Sequence, residues 1–291
     1  MELFPQALAG GLGSGCLYIL VALGLSIILG VMKTVNFAHG EFVMLGAYFT
    51  FYFYSLTGMN YPVAFVLTLV TLFALGFGLE KAFFRPVRGN MLAGFILTLG
   101  FSILLLNLGF IVFGTKSRGI SGVFPGMLEL GSVHTSVEKV ATAAIALGVM
   151  VALLYIMYRT KLGRSFRAVS QDSEAAQLQG VNIGNIHSFC LAISLALAGA
   201  AGALLGIIFN IYPTMGTRPT SLAFVIIVTG GLESIPGTIL AALLVGLVES
   251  FVSLYVGGEV SWGAIFLMAF LMIVFRPRGL LGRDRGFLGR E

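Results

Sequence analysis

The chain has 291 residues, of which 58% are hydrophobic and only 10% charged, and its mean hydropathy is +1.00. A soluble domain carries about 25% charged residues, so a soluble globular fold is excluded and a multi-pass membrane protein is implied. The net charge of +5 and the pI of 9.4 do not indicate nucleic acid, because the cations lie in short loops beside apolar runs, where they report orientation in the bilayer.

The chain opens with MELFPQALAGG, which has an acid and no cationic region, and it reads as the start of a mature chain rather than a cleaved signal. No charge occurs from Leu3 to Met32, from Phe42 to Leu79, from Gly89 to Thr115 or from Ala175 to Thr217. A spanning helix needs roughly 20 apolar residues, so the second and fourth runs each hold two spans. Nine spans are expected, at 6–32, 41–57, 61–80, 91–114, 139–158, 187–209, 217–232, 237–256 and 260–275. The turn signal Gly58-Met59-Asn60-Tyr61-Pro62 splits the run after Phe42, and Pro213 and Pro219 do the same around Arg218. The fold class is all-α, a polytopic membrane bundle of eight to ten helices with discontinuous or re-entrant segments, forming one transmembrane domain over 1–291.

Thirteen of the 17 cations fall on one side of this topology: Lys33, Lys81, Arg85, Arg88, Arg159, Lys161, Arg164, Arg167, Arg276, Arg278, Arg283, Arg285 and Arg290. That side is cytoplasmic by the positive-inside rule, which puts the N-terminus outside and the tail inside. Small residues recur four apart at Gly11 and Gly15 and along Ala198, Gly202 and Gly206, the spacing at which helix backbones approach closely. Cys16 and Cys190 lie within spans, and His39, His134 and His187 are far apart, so no metal-ligand spacing occurs.

Two polar breaks interrupt apolar stretches. In VNFAHGEFVMLGAY, Asn36, His39 and Glu41 fall within six residues. They form either a wetted cytoplasmic turn after Lys33 or an unwound stretch inside the membrane that faces the pathway; such backbone is tolerated where it is buried in protein or lines a cavity. The second break, GGLESIPG at 230–237, carries Gly230, Gly231, Glu233 and Ser234. Paired interrupted segments point to a transporter's site. Glu249 falls inside a span, where it either lines the pathway or bonds a neighbouring helix. Asn107 reads as a helix-to-helix bond, and the aromatic residues as packing or interfacial belts.

The longest cytoplasmic connection is 159–187, RTKLGRSFRAVSQDSEAAQLQGVNIGNIH. From Ser165 to Gln179 it has no Pro or Gly, and it is expected to form one short amphipathic helix with Phe166, Val169 and Leu178 on the apolar side and Gly180 as the stop. Read on physics alone, it is equally a solvated loop that sets topology. GFIVFGTKS at 109–117 resembles a phosphate-binding loop only loosely, since Thr115 separates Gly114 from Lys116 and the segment ends an apolar run.

Glu174-Ala175-Ala176-x-x-x-Gly180 resembles the core of the segment by which ABC importer permeases engage their ATPases, although the later I-x-L-P portion is absent. VNFAHGEFVMLGAY, RAVSQDSEAAQLQGVNI with SLALAGAAGALLG, GGLESIPGTILAALLVGLVE and RPRGLLG follow in the order seen in one family. The chain resembles the permease subunits of high-affinity branched-chain amino-acid ABC importers, in particular the shorter of the two paired permeases, over about Gly10 to Gly282. That resemblance implies a role in a bacterial-type inner membrane, beside a second homologous permease, two cytoplasmic ATPases and an extracytoplasmic solute-binding protein. The chain would hold no cofactor and no catalytic site, ATP being bound by the partner subunits. ATPase coupling would rest on Arg164, Phe166, Arg167, Asp172, Glu174, Ala175, Ala176 and Gly180. Two alternatives stand beside it: a urea or short-amide permease of the same ABC family, and a stand-alone proton-coupled transporter using Glu41, Glu233 or Glu249.

Overall fold

A computed structural model of the protein describes residues 3–130 and 133–282; Arg283, Arg285 and Arg290 of the tail lie outside the described residues. The elements in order are α1 (Leu3–Met32), α2 (His39–Phe51), α3 (Tyr61–Leu79), α4 (Met91–Phe113), a hairpin of β1 (Met127–Leu130) and β2 (Val133–Ser136), α5 (Val137–Arg159), α6 (Lys161–Gln171), α7 (Ser173–Leu178), α8 (Ile183–Ile208), α9 (Thr217–Gly230), α10 (Ile235–Tyr255) and α11 (Gly258–Phe275). Seven of these helices are long and apolar enough to cross a membrane: α1, α3, α4, α5, α8, α10 and α11. The chain is a polytopic helical membrane protein.

The nine expected segments each hold a helix, but two of them are short. With 14 residues, α9 is about 20 Å long, less than the ~30 Å hydrocarbon core, and α2 has 13 α-helical residues before it passes into a π-helical turn over Tyr52–Leu56. Two helices are apolar all round and form the centre, α1 and α8, with 94% and 83% of their spanning windows buried. The remaining long helices form a ring whose outer faces expose residues such as Ile111, Val66 and Phe275, which is how a bundle meets hydrocarbon.

The small-residue rows set the helix contacts. A Cβ on Gly11 would sit 2.8 Å from Leu247 Cα, and one on Gly246 would sit 2.4 Å from Gly11 O, so α1 and α10 touch backbone to backbone. On α8, a Cβ on Gly202 would meet Val43 O of α2 at 1.9 Å. Helix α8 runs antiparallel to α1: Ser194 Oγ donates to Gly24 O, and Cys190 Sγ faces Ile27 O. Polar side chains add links at depth, as where Thr50 and Thr68 join α2 to α3 at 2.8 Å.

The cation-rich loops gather at one end of the bundle. Lys33 follows α1 there and pairs with Glu233, while Arg88 reaches Gly184 O at the start of α8. At the opposite end, Gln6 near the start of α1 bonds His134 in the hairpin.

Candidate functional site

After Met32 the chain does not continue along the surface at the cation-rich end. Residues 33–38 turn back into the bundle, and His39 Nε2 lies 2.9 Å from Val21 O. Val21 is eleven residues before the end of α1, about 16 Å along the helix axis. Helix α2 therefore begins near mid-depth and runs back toward the end where α1 starts; there Tyr61, the first residue of α3, donates its hydroxyl to Ala203 O. The turn is held by Asn36, whose Oδ1 accepts from Ala38 N at 3.1 Å. Asn36 and His39 are fully buried and Glu41 is 7% exposed.

A second re-entrant stretch meets the first. Residues 209–216 return from the end of α8, and Gly216 packs on Gly40: a Cβ on Gly40 would lie 2.1 Å from Gly216 O and 1.9 Å from Thr220 Oγ1. Helix α9 starts at this contact and runs the other way, ending at Gly230 beside the cation-rich end. Two half-helices thus place their N-termini against each other at mid-depth, each with its positive dipole end there.

Helix α4 covers the first break with a polar and small face. Thr98 Oγ1 donates to Val35 O at 3.1 Å, Ser102 Oγ donates to Glu41 Oε1 at 2.9 Å, Gly94 sits on Thr34, and Gly109 on Met44. Phe37 packs between Phe95 and Phe224, each ring centre 5.1 Å away.

The structure separates the two breaks that the sequence pairs. Gly230, Gly231, Glu233 and Ser234 lie at the end of the bundle, not at mid-depth. There Gly230 packs on Gly237, Ser234 caps α10 by accepting from Gly237 N, and Lys33 pairs with Glu233. The RPRGLLG segment closes over this turn, with Leu280 N and Leu281 N donating to Thr229 O and Gly230 O. Gly231, at φ +103°, leaves space that the backbone of Gly282 and Arg278 occupies, and Gly279 packs on Gly231 in turn. The counterpart of the 33–38 break is therefore 209–216, which the sequence reading takes as a loop between spans.

Glu249 belongs to a separate polar link. It accepts from Tyr18 Oη at 2.6 Å and pairs with Arg218, whose guanidinium lies 5.1 Å from the Trp262 ring centre. This joins α1, α9, α10 and α11, the helix-to-helix alternative for this residue. Asn107 does not join helices within the chain; it is exposed and donates to Ile103 O of its own helix.

The segment expected to form one helix from Ser165 to Gln179 forms two. Asp172 breaks it at φ −157° and caps α7, its Oδ1 accepting from Glu174 N and Ala175 N at 3.0 Å each. Phe166 and Val169 bury the α6 face and Ala176 anchors α7. Leu178 is not on that apolar side: it is 87% exposed, as the break at Asp172 rotates α7 away from the α6 register. Arg167 reaches back to Met157 O and the Tyr158 ring, whereas Arg164, Glu174 and Ala175 are exposed. Gly180, at φ +81°, ends the element as expected.

Sequence reasoning overlooks Glu80. It is fully buried at the end of α3, paired with Arg88 and accepting from Ser188 Oγ of α8. An acid closing an apolar run of that length is a signal, but its partner on α8 lies 108 residues away.

A helical bundle with opposed half-helices, a buried polar turn between them and an exposed two-helix element at one end defines a transport permease. The chain belongs to the family described as branched-chain amino acid transport system / permease component, which matches residues 7–275. It is similar to the high-affinity branched-chain amino acid transport system permease protein BraD of Pseudomonas aeruginosa, with 33% identity over 96% of each chain. It is also similar to the corresponding permease LivH of Escherichia coli, with 30% identity over 96% of each chain. The permease LivM of the same organism is 29% identical, over 92% of this chain and 68% of LivM. No solved structure matches the chain. The family supports the amino-acid transport reading over the urea and proton-coupled alternatives.

Proposed function

We propose that this chain is one of two paired permeases in an ATP-driven importer of branched-chain or other neutral, apolar amino acids. The second permease is homologous, two ATPases bind on the cytoplasmic face, and an extracytoplasmic binding protein delivers the solute. The chain itself binds no ATP and has no catalytic site. The cation-rich end faces the cytoplasm, so that the N-terminus is outside and the tail inside an inner membrane.

The exposed α6–α7 element carries this reading. It presents Arg164, Glu174, Ala175 and Leu178 outward while Phe166, Val169 and Ala176 tie it to the bundle. A largely exposed leucine beside charges at the end of a membrane bundle fits a protein partner. Asn107 on the outer face of α4 supports a second permease, because a polar amide facing hydrocarbon is costly and a neighbouring helix satisfies it. The Gly216–Gly40 contact between the half-helices supports a solute path through that crossing, since transporters bind solute near the midplane. ATP binding and hydrolysis would move α6–α7 and rock the two permeases about that crossing.

Replacing Glu174 and Leu178 together by Ala and Asp is expected to reduce ATP-driven amino-acid uptake in proteoliposomes at least tenfold. The chain should still insert at wild-type level, because neither side chain is buried. Uptake at the wild-type rate would remove α7 as the coupling element.

A further inference from the structure

Among the described residues, seven buried side-chain polar atoms have no hydrogen-bond partner, and three of the seven fall in one turn: Asn36 Nδ2, His39 Nδ1 and Glu41 Oε2. Buried polar groups are normally satisfied, so such a concentration marks a place where something else binds. The sense of each atom is fixed by its neighbour. Asn36 Oδ1 is occupied by Ala38 N–H, which leaves the amide nitrogen as a free donor. His39 Nε2 faces Val21 O, which can only accept; Nε2 therefore carries the proton and Nδ1 is a free acceptor. Glu41 Oε1 is held by Ser102, and Oε2 is a second free acceptor. None of the ion pairs among the described residues includes Glu41.

A free amide donor and a carboxylate that has no countercharge complement a zwitterion. We infer that the turn 36–41 is the transient binding site for the charged end of the solute, a reading that rests on the amino-acid importer function proposed above. The solute ammonium donates to Glu41 Oε2, which faces α4 beside Ser102, supplying the missing countercharge, and its carboxylate accepts from Asn36 Nδ2 at the positive end of α2. The rings of Phe37, Phe95 and Phe224 beside the turn meet the apolar side chain. Helix α4 closes the site in this structure, so binding requires α4 to move off residues 34–44. The site holds the solute weakly because its donors and acceptors are few, which suits a carrier that must release it.

The test uses the intact complex in proteoliposomes with saturating binding protein and radiolabelled leucine. Glu41→Gln keeps the shape and the Ser102 bond but removes the charge. It is expected to lower import at least tenfold while binding-protein-stimulated ATP hydrolysis stays within twofold of wild type. Import within twofold of wild type would overturn the site. A wild-type complex that imports no leucine on ATP would instead overturn the importer reading. A second measurement does not depend on the charge variant folding. An added Cβ on Gly94 lies 3.7 Å from Thr34 Cβ, inside the range a disulfide needs. Oxidising a Thr34→Cys/Gly94→Cys chain should stop import, and reduction should restore it; undiminished import by the oxidised chain would show that α4 need not move.

Discussion

Replacing Glu80 by alanine is expected to destabilise the folded chain by about 3–5 kcal/mol, the usual cost of breaking a buried ion pair from one side. Glu80 is fully buried, and Arg88 also donates to Gly184 O, 3.1 Å away. Without the carboxylate, the guanidinium is left against protein with the Gly184 carbonyl but no countercharge from Glu80, and Ser188 loses an acceptor. These contacts tie the end of α3 to the start of α8, the helix that follows α7 directly. Replacing Glu80 and Arg88 together by methionine should cost less than the single alanine change, because no charge is then left unpaired. Unfolding of the detergent-solubilised chain measures both. A Glu80→Ala protein as stable as wild type would mean that the pair contributes nothing to the fold.

The second large effect is expected at Gly40. Inserting a methyl group into a packed interior costs typically 1–3 kcal/mol, and more when the obstruction cannot rotate away. At Gly40 part of the obstruction is the Gly216 backbone, so Gly40→Ala must push the N-termini of α2 and α9 apart. We expect a loss at the upper end of that range or beyond, together with loss of transport. Gly13→Ala is the control, because a Cβ there meets nothing within 4 Å, and it should be neutral or slightly stabilising. The comparison is made by unfolding in graded denaturing detergent. Equal stability of the two variants would contradict the close crossing of the half-helices.

The long helices are legible in the sequence because spanning hydrocarbon demands length and apolar content together, and runs such as Leu3–Met32 satisfy both. Depth is a different matter. The stretch after Lys33 is visibly polar, yet composition does not say whether it lies at the surface or beside Val21; only the His39–Val21 contact does. The matching stretch 209–216 contains Phe209, Ile211, Tyr212 and Met215, so hydropathy marks it as span or loop and never as a re-entrant partner. Pro213 and Gly216 are its local punctuation. The coupling element shows the reverse: its residues are readable, but the break at Asp172 is decided by capping, which competes with helix continuation residue by residue. That competition moves Leu178 from the expected buried side to the exposed one. Glu80 escapes because the partner on α8 is remote in sequence. Among the polar positions singled out from sequence, Asn36, His39 and Glu41 are all buried, His39 against α1 and Glu41 against α4, and Ser102, which bonds Glu41, carries no signal of its own inside an apolar run.

The central claim is that this chain works as one permease of an ATP-driven pair, and the mass of the intact complex tests it most directly. The chain is purified through a C-terminal tag in mild detergent from cells that express its native partners, and weighed by native mass spectrometry. We predict one copy of this chain with one copy of a homologous permease and two ATPase subunits. A lone chain or a simple homo-oligomer that moves amino acid across liposomes without ATP would contradict the account, and the buried carboxylates would then be the groups to examine as proton carriers.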